Sequence, residues 1–426
     1  MNTLDRRRFL QWLGAASALS AFGMPSLSFS RSSARIIVVG GGFGGATCAK
    51  YLKRFDPSLT VTLIAPEPTF ITCPFSNAVI GGLKKIGFIT HNYEKLRTVH
   101  GVDIVHDSVK TIDPDSKKVH TAGGKTLAYD RLVLSPGIDF QWNAIEAYDQ
   151  AASQVMPHAW QAGAQTTLLR KQLEAMPNGG VVIIAAPADP FRCPPGPYER
   201  ASLIAHYLKQ HKPRSKVLIL DAKDKFSKQP LFQDAWDEFY PDHIEWVPGS
   251  QGGKVTRVDT RQMSVHTGDE AHKAAVINII PPQTAAAITH SSGLTDEKGW
   301  CPVNQKTFAS TLHKNIHVIG DASIAGKMPK SGYAASSQAK ACAAEIAAEL
   351  RGESVGTSSW VNTCYSLVTP DYGISVAAVY RLTDNVIMPV EGAGGVGPRD
   401  APRETRRMEA LYAEGWYKAI TADIFS

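Results

Sequence analysis

The sequence predicts an α/β fold with two dinucleotide-binding (Rossmann-like) domains and a C-terminal α+β interface domain. Glycines at G-x-G-x-x-G spacing follow the first apolar strand, a second strand-and-helix unit begins near residue 179, and an apolar strand ending in Gly320-Asp321 returns late in the chain. These three observations place the first domain at 34–140 and 295–357, the second at 141–294 and the third at 358–426, after an export signal at 1–33.

The first glycine cluster stands between a predicted strand and a predicted helix. Ile36–Val39 is a β-branched apolar run typical of a buried parallel strand, and Gly40, Gly42 and Gly45 follow it before an Ala-rich run. The first glycine permits a tight turn, the second lets backbone approach a pyrophosphate, and the third lets the helix pack closely on the strand. A dinucleotide at the helix N-terminus is therefore expected, with Gly44 also among its contacts.

One part of this dinucleotide pattern is missing. An acidic residue that holds a ribose hydroxyl is expected roughly 20 residues beyond the glycines. That position falls near Ala65, and the nearest carboxylate is Glu67. Either Glu67 takes the ribose contact from a shifted position, or the contact is weaker and another group holds the cofactor.

Composition and charge exclude several classes of protein. The chain has 426 residues, of which 43% are hydrophobic and 20% charged, which is ordinary for a globular protein and unlike a disordered or membrane-spanning one. Without Arg6, Arg7, Arg8, Arg31 and Asp5 the formal charge of +6 falls to 41 positive against 38 negative side chains. No basic cluster with interleaved aromatic residues is present, so nucleic acid is not an expected partner.

The N-terminus is typical of an export signal. Arg6 to Leu10 precedes the apolar run Trp12–Phe22, which is too short to form a stable membrane span. A twin-arginine start indicates bacterial export in the folded state, to the periplasm, with cleavage between Ser26 and Ala34. The alternative is a charged end on a short anchor helix. Folded export suits a protein that acquires its cofactor before it leaves the cytoplasm.

Two further stretches are typical of a flavin domain. The segment Pro66–Gly82 is rich in Pro, Thr and Gly, holds Cys73, and predicts a loop over the cofactor. The strand that runs into Ser135-Pro136-Gly137 resembles the second signature of flavoproteins with two dinucleotide-binding domains, where the chain leaves the FAD domain.

The strand Ile316–Asp321 resembles the flavin-domain motif in which a carboxylate, here Asp321, bonds the ribityl or phosphate end of FAD. Pro329–Ala334 then leads into a helix that continues to Leu350. The positive N-terminus of that helix would be directed at the flavin ring and would favour an anionic reduced flavin.

The second strand-and-helix unit lacks the glycines of the first. Gly179–Ala186 predicts its strand, Tyr198–Gln210 its helix, and Lys216–Asp221 the next strand of the same sheet. The connecting segment Pro187–Pro197 is crowded with prolines, which have no N–H groups to cradle a pyrophosphate. We therefore expect the domain shape without nicotinamide binding.

Three of the six cysteines have the setting of structural residues. Cys48 and Cys342 lie in Ala-rich helical runs and are expected to be small buried apolar residues, and Cys301 in Gly299–Pro302 is interpreted in the same way. The spacing of the cysteines and histidines does not match a zinc site, so no metal is predicted.

Cys73, Cys193 and Cys364 lie in loop or loop-like contexts. Cysteines of an exported protein are expected to form disulfides, and a Cys193–Cys364 pair is one possibility, either as a stabilising crosslink or as a redox pair. Cys193 lies in a proline-crowded loop that enters a helix N-terminus, which favours a low thiol pKa and a redox role. The residues alone leave these alternatives open.

Across the mature chain the sequence resembles the flavoprotein subunit of flavocytochrome c sulfide dehydrogenase, a relative of sulfide:quinone oxidoreductase and of glutathione-reductase-type flavoproteins. The resemblance is carried by four stretches, Thr72–Asn77, Phe191–Arg200, Lys330–Tyr333 and Asn362–Ser366. It implies an FAD-dependent sulfide:cytochrome-c oxidoreductase.

The resemblance also assigns individual residues. It implies that Cys73 bonds the flavin 8α-methyl group as a thioether, that Cys193 and Cys364 form the redox disulfide, and that Glu199 handles protons. Hydrosulfide would attack one sulfur of that disulfide and leave a thiolate on the other. The complete set of expected cofactor-binding residues is Gly40, Gly42, Gly44, Gly45, Glu67, Cys73, Pro136, Gly320, Asp321, Lys330, Ser331 and Gly332.

The expected partner is a c-type cytochrome subunit in a heterodimer. The chain has no C-x-x-C-H haem attachment sequence, so a haem acceptor has to lie on another polypeptide. The nearest alternative is a sulfide:quinone reductase, although Glu404–Ser426 is polar for a quinone and lipid contact. A non-catalytic redox-sensing flavoprotein and an NAD(P)H-dependent disulfide reductase are the remaining alternatives.

Overall fold

The structure is a computed structural model and describes residues 33–356 and 358–426. Its strands, in chain order, are β1 (Arg35–Val39), β2 (Thr60–Ile64), β3 (Thr69–Ile71), β4 (Thr90–Asn92), β5 (Asp103–Val105), β6 (Val109–Asp113), β7 (Lys118–Thr121), β8 (Thr126–Ala128), β9 (Arg131–Leu134), β10 (Ile138–Phe140), β11 (Val181–Ala186), β12 (Lys216–Asp221), β13 (Ile244–Val247), β14 (Arg257–Asp259), β15 (Ser264–Thr267), β16 (Glu270–Lys273), β17 (Val276–Ile279), β18 (Gln283–Ala285), β19 (Ile316–Val318), β20 (Ser359–Thr369), β21 (Tyr372–Thr383) and β22 (Val386–Val396). Its α-helices are α1 (Phe43–Phe55), α2 (Ser76–Ile80), α3 (Glu94–Thr98), α4 (Ala164–Ala175), α5 (Gly196–His211), α6 (Gln229–Phe239), α7 (Ala287–Ser291), α8 (Gly332–Arg351) and α9 (Arg403–Phe425). The predicted export signal falls almost entirely on residues 1–32, outside the described part.

The first sheet has five parallel strands in the order β19-β9-β1-β2-β5. Its central strand β1 is buried over four of its five residues, as its β-branched sequence predicts. The late strand β19 joins the sheet beside β9, although most of the chain lies between β19 and β1. This confirms the predicted α/β fold class. The domain boundaries given above stay predictions.

Glycine is required at two positions after β1 because two backbone segments lie very close together there. Gly40 has φ +102°, and a Cβ on it would lie 2.2 Å from the Ser135 carbonyl oxygen. A Cβ on Gly45 would lie 1.8 Å from the Gly40 carbonyl oxygen. Any larger residue at either position would force the backbone segments apart. The α1 N-terminus begins with no acidic residue and no side-chain cap, which leaves its N–H groups available to an anion.

The second sheet is also parallel, in the order β13-β12-β11-β17. The strands predicted at Gly179–Ala186 and Lys216–Asp221 are confirmed as the paired strands β11 and β12. The predicted helix Tyr198–Gln210 begins two residues earlier, at Gly196, because Pro197 is accommodated in the first turn. The nucleotide-binding shape is therefore kept around a connection rich in prolines.

The prediction of a loop over Pro66–Gly82 is partly wrong. This segment contains β3, which pairs antiparallel with β4, and the short helix α2. All five residues of α2 are buried, and the helix packs against α4 and α5. Tertiary burial of an apolar pair, Val79 and Ile80, outweighs the turn-rich composition on which the prediction rested.

The C-terminal residues form an antiparallel three-stranded sheet, β20-β21-β22, with α9 packed on it. Strand β21 contains the apolar run Gly373–Tyr380, and helix α9 contains Glu404–Ile424. At Gly373 a Cβ would lie 2.5 Å from the Ala410 backbone nitrogen, so helix and sheet are in direct contact. Within the described ranges, no helix is both long and apolar enough to cross a membrane.

We predict that Gly45→Ala destabilises the protein by at least about 1 to 3 kcal/mol, the usual cost of overpacking, and lowers its flavin content. The new methyl group would collide with the Gly40 carbonyl oxygen. Chemical denaturation and protein-bound flavin measure the two effects.

The matched control is Gly415→Ala, also within a helix, where a Cβ meets no atom of the described chain within 4 Å. It should raise stability by up to about 1 kcal/mol through helix propensity. Equal behaviour of the two variants would refute the close packing of α1 on β1.

Candidate functional site

A cavity of about 90 Å³ lies between α2, the start of α5, the N-terminus of α8, β20 and α9. Its wall includes six predicted site residues, namely Cys73, Cys193, Glu199, Ser331, Gly332 and Cys364. These residues come from all three predicted domains. Most of the cavity surface is apolar, and its charged groups are the Glu199 carboxylate and the Arg192 guanidinium.

Cys193 is held in an unusual backbone conformation. Its φ is +59°, in the left-handed region that few non-glycine residues adopt and that costs about 1 kcal/mol or more. Its N–H donates to the Lys330 carbonyl oxygen at 2.8 Å, and the Gly196 N–H donates to the Cys193 carbonyl oxygen at 2.8 Å. A Cβ on Gly196 would lie 3.1 Å from the Cys193 sulfur. The proline-rich connection therefore fixes where this thiol points.

The expectation of a low thiol pKa at Cys193 is wrong. Burial raises the pKa of Cys193 well above its usual value, and the nearby Cys364, Glu199 and Cys73 raise it further, while Arg192 opposes the shift. The N-terminus of α5 lies close in sequence, but the largest influence on this pKa is the loss of water around the sulfur. A thiol in this setting stays protonated unless a specific cation stabilises its charge.

Cys364 lies in the middle of β20, opposite Val376 of β21. Burial raises the pKa of Cys364, Lys228 lowers it and Glu199 raises it. Cys193 and Cys364 are both free thiols in this structure and both line the cavity. The Cys193–Cys364 disulfide stays a prediction.

Cys73 follows β3, and its thiol donates to the Trp160 carbonyl oxygen at 3.5 Å. The neighbouring Thr72 is fully buried, and its hydroxyl lies 2.7 Å from that of Tyr417 on α9. His91 also contacts the Tyr417 hydroxyl, at 2.9 Å. The C-terminal helix α9 therefore holds the segment that carries Cys73 in place through the Tyr417 hydroxyl.

Each carboxylate oxygen of Glu199 accepts a hydrogen bond from a different donor. The Leu367 N–H donates to one carboxylate oxygen at 2.9 Å, and the Asn77 side-chain amide donates to the other at 2.8 Å. Burial raises the pKa of Glu199, while these two donors and the cations Lys228 and Arg200 lower it. The opposing effects suit a carboxyl group that takes up and releases a proton, as the resemblance implies.

Arg200 and Asn278 extend the hydrogen-bond network around Glu199, and the sequence did not predict either residue. Arg200 is 1% exposed, donates to the Asn77 side-chain oxygen at 3.0 Å and to that of Asn278 at 2.8 Å, and stacks on Trp160 at 4.8 Å. Burial lowers the pKa of Arg200 to about 10. Arg200 is the last residue of the stretch Phe191–Arg200. Its hydrogen bond to Asn278 joins positions far apart in the chain, and no local sequence pattern predicts it.

Lys228 is a third residue near the site that the sequence did not predict. It precedes α6, is 4% exposed, and donates to the Cys364 carbonyl oxygen at 3.2 Å. Burial lowers the pKa of Lys228, and Cys364 and Glu199 raise it. The turn before Lys228 carries no recognisable sequence motif, so the folded chain alone reveals this contact.

The expected flavin-binding residues converge near the ends of the first sheet. Asp321 follows β19, and its Oδ1 atom is buried without a hydrogen-bond partner among the described residues. Burial raises the pKa of Asp321, and the Arg192 guanidinium lies 3.9 Å from its other oxygen. Gly320 has φ +75°, and Pro136 lies beside Gly40 just after the end of β9. A buried carboxylate oxygen without a partner fits a hydroxyl donor supplied by a bound molecule.

The Lys330–Gly332 stretch starts α8. The Lys330 ammonium donates to the carbonyl oxygens of Asp321 at 2.6 Å and Ser323 at 3.1 Å, and burial lowers the pKa of Lys330 to about 8. The Ser331 hydroxyl accepts from the Ala334 N–H at 3.1 Å and so caps the helix. A Cβ on Gly332 would lie 3.0 Å from the Phe43 ring. The stretch therefore joins α8 to the α1 N-terminus.

The remaining predicted residues have clear positions. Glu67 is exposed beyond the end of β2, while Ala65 is buried. The ribose contact expected of Glu67 stays a prediction. Cys48, Cys301 and Cys342 are all buried, as expected for structural cysteines.

The chain is similar to known flavoproteins, and these similarities identify its family. The family model for the central part of the sulfide dehydrogenase (flavocytochrome c) flavoprotein chain matches residues 166–281. The family model for the flavin-binding part of flavocytochrome c sulphide dehydrogenase matches residues 357–425. The sulfide dehydrogenase (flavocytochrome c) flavoprotein chain of Chlorobaculum thiosulfatiphilum is 67% identical over 45 residues, which are 11% of this chain and 94% of that protein. The chain belongs to this flavoprotein family.

Other similarities extend over more of the chain at lower identity. A pyridine nucleotide-disulphide oxidoreductase model matches residues 34–174. The mitochondrial sulfide:quinone oxidoreductase of Mus musculus is 22% identical over 293 residues, and the match spans 67% of this chain and 65% of the mouse protein, slightly less than two thirds of its length. The solved sulfide:quinone oxidoreductase of Aquifex aeolicus has a TM-score of 0.72 at 18% identity, with 92% of each chain covered, which shows the same fold.

Members of this family bind flavin, and the residues of this chain fit FAD. The α1 N-terminus offers free N–H groups beside close-packed glycines, and Asp321 offers an unpaired carboxylate oxygen within the described part of the chain. Cys73 stands on the cavity wall together with the other two sulfurs.

We predict that stability falls with acid because His158 is buried in its neutral form. It is 5% exposed, its Nδ1 accepts from the Trp160 N–H at 3.0 Å, and burial lowers its pKa to about 3, with Arg200 and Arg192 adding to the shift. An unfolded histidine titrates near pH ~6.5, so the unfolded state binds the extra proton first. The free energy of unfolding should therefore fall by up to about 1.4 kcal/mol per pH unit below that pH.

Chemical denaturation at a series of pH values measures this slope. His158→Gln should flatten it, whereas the control His290→Gln, at an exposed histidine, should leave it unchanged. Equal slopes for His158→Gln and the parent protein would refute the assignment.

Proposed function

We propose that this chain oxidises sulfide through a disulfide between Cys193 and Cys364 and passes the electrons, by way of FAD, to a c-type cytochrome on a separate polypeptide. The observation that carries the proposal is that both sulfurs line one cavity together with Glu199 and Cys73. Membership of the flavocytochrome c sulfide dehydrogenase family supports the same conclusion.

The chemical step at the cysteines is a thiol–disulfide exchange. Hydrosulfide attacks one cysteine sulfur, a bond forms between the two sulfur atoms, and the Cys193–Cys364 bond breaks. The electron pair of the broken bond remains on the other cysteine as a thiolate, and the attacked cysteine becomes a persulfide. Glu199 lies on the wall of the same cavity and can accept the persulfide proton.

Residues of this chain are also positioned to bind the cofactor. FAD, when bound, can take up two electrons together and release them singly. The α1 N-terminus would hold the pyrophosphate, and Asp321 would accept a hydrogen bond from a hydroxyl at the ribityl end. A thioether at Cys73 would retain the cofactor outside the cytoplasm, where it could not be replaced.

The periplasm is the proposed location, and the cytochrome is the proposed acceptor. The location rests on the twin arginines within Arg6–Arg8. The acceptor rests on the family and on the proline-rich connection Pro187–Pro197, which disfavours NAD(P)H. The proposal places the haem on a separate chain, since the 426 residues of this sequence contain no C-x-x-C-H motif.

A sulfide:quinone reductase is the second candidate, because several relatives carry that name. The surface of α9 disfavours it. Charged side chains at the surface of that helix form ion pairs, Arg407 with Glu404 at 2.7 Å and Lys418 with the partly buried Glu414 at 2.7 Å, and such a face is poorly suited to lipid.

We predict that sulfide bleaches the flavin of the anaerobic protein and that oxidised cytochrome c restores it. Cys193→Ser and Cys364→Ser should each abolish bleaching, because either change removes the disulfide. Cys48→Ala is the matched control, since Cys48 is buried in α1 and does not line the cavity, and it should keep the response. Flavin absorbance after each sulfide addition is the measurement.

Three outcomes would redirect the assignment. Flavin that stays oxidised with excess sulfide would overturn the cysteine mechanism. Reoxidation by a quinone but not by cytochrome c would favour the second candidate. A single reduction without steady-state sulfide consumption would indicate a redox sensor.

We predict that Cys73→Ser releases the flavin on acid precipitation, because serine cannot form the thioether. The supernatant should then contain the FAD, whereas the parent protein and Cys48→Ala should keep it in the pellet. Absorbance of both fractions measures the partition. Flavin retained in the Cys73→Ser pellet would disprove the tether.

A further inference from the structure

A chain of hydrogen bonds connects the two residues that flank Cys73. The Thr72 hydroxyl donates to the Pro74 carbonyl oxygen at 3.0 Å, and it lies 2.7 Å from the Tyr417 hydroxyl. A hydroxyl has one proton and a carbonyl oxygen only accepts, so Thr72 uses its proton on Pro74 and accepts the proton of Tyr417. The Phe88 carbonyl oxygen is a more distant acceptor for Tyr417, at 3.4 Å. The Tyr417 hydroxyl therefore fixes Thr72 directly and Pro74 through it.

His91 extends this chain from the neighbouring strand. Its Nε2 atom lies 2.9 Å from the Tyr417 hydroxyl oxygen, which accepts because its own proton is already used. His91 is in β4 and pairs with Phe70 of β3. Tyr417 is on α9, in the C-terminal predicted domain. One hydroxyl group of that helix thus contacts both β4 and the residue that follows β3.

The surroundings keep water away from these hydrogen bonds. Thr72 is fully buried, and Tyr417 is 1% exposed. The Tyr417 ring packs against Phe75 and Phe88, with ring centroids 4.9 and 5.1 Å away. Phe75 also lines the cavity together with Cys73. Aromatic packing therefore places the tyrosine ring beside the cavity wall, and its hydroxyl then sets the position of Thr72.

The proposed thioether at Cys73 requires an accurately placed sulfur. When the thioether forms, the S–H bond of Cys73 and one C–H bond of the flavin 8α-methyl group break, and a sulfur–carbon bond forms. The two electrons and two protons pass to the flavin, and molecular oxygen reoxidises it with formation of hydrogen peroxide. A displacement of about 1 Å in a reacting group can slow a reaction by about a hundredfold, so the segment that carries the thiol has to be held firmly.

We propose that Tyr417 is a positioning residue for the attachment of the flavin. Its hydroxyl, acting through Thr72 and Pro74, holds the Cys73 thiol where it can react with the 8α-methyl group of a bound flavin. This inference rests on the thioether of the proposed function and deepens it. Because Tyr417 lies on α9, attachment then depends on the docking of the C-terminal helix.

Removal of a single oxygen atom tests this role in the full-length protein. Tyr417→Phe removes the hydroxyl and keeps the ring that packs on Phe75 and Phe88. The chain is produced in aerated cells, protein synthesis is stopped, and samples taken over time are precipitated with acid. The share of the bound flavin that stays in the pellet gives the rate of attachment. Tyr417→Phe should lower this rate by about fivefold, the order of one neutral hydrogen bond.

Tyr240→Phe is the matched control. Tyr240 is also 1% exposed, and its hydroxyl donates to the Val368 carbonyl oxygen at 2.8 Å, but it lies directly after α6 and does not line the cavity. Both variants should lose a similar amount of stability in chemical denaturation, whereas only Tyr417→Phe should attach flavin slowly. Equally slow attachment in both variants would show that stability alone is responsible, and it would overturn the proposal.

Thr72 offers a second pair of variants. Thr72→Ser keeps the hydroxyl and should keep the attachment rate, whereas Thr72→Val removes the hydroxyl and should lower the rate. The double variant with Tyr417→Phe should be no slower than Thr72→Val alone, because both changes remove the same hydrogen bond. An unchanged rate in Thr72→Val, or a double variant in which the two losses multiply, would refute the proposal. If Tyr417→Phe does not fold, the two Thr72 variants decide the question.

The outcomes separate this inference from the proposed sulfide reaction. A parent protein that releases its flavin in acid would refute the thioether at Cys73 and this inference together. A parent protein that retains its flavin but attaches it no faster than Tyr417→Phe would refute only this inference. A protein that attaches flavin as expected and is not bleached by sulfide would refute only the proposed sulfide oxidation.

Discussion

Buried charge at the cysteine cavity holds the predicted domains together. Glu199, Arg200 and Lys228 are ionisable groups in a place with little water, and a buried charge without partners costs several kcal/mol. Each finds partners on another part of the chain. Glu199 accepts a hydrogen bond from the Asn77 side-chain amide, Arg200 donates to the Asn77 side-chain oxygen, and Lys228 donates to the Cys364 carbonyl oxygen on β20. The segments that carry the sulfurs cannot separate without exposing these groups.

The two parallel sheets illustrate how one architecture serves two purposes. In the first, Gly40 and Gly45 let backbone approach backbone and leave helix N–H groups for a phosphate. In the second, the same connection is rich in prolines and holds Cys193 at a positive φ. A position that suits a nucleotide in one domain orients a sulfur in the other.

Much of the fold could be predicted from the sequence because its signals are local. Strand β1, its glycines and helix α1 are adjacent in the chain, and so are β19 and Asp321. Helix α2 could not, because its stability comes from burial against α4 and α5 and not from its own composition. The low pKa expected for Cys193 was wrong because the sequence indicates a helix start but does not indicate how much water surrounds the sulfur. The cysteines of the candidate site could be named from their motifs, whereas Lys228 and Asn278 act on residues far away in the chain, and no pattern in a single sequence pairs such positions.

The position of Cys364 on a C-terminal strand affects how the protein can mature. Cys73 and Cys193 emerge from the ribosome long before β20 exists, so the cavity wall that they share with Cys364 cannot be complete until the last sheet has docked. Assembly of the cavity is therefore a late event of folding, and a chain truncated near its end would carry sulfurs without a site.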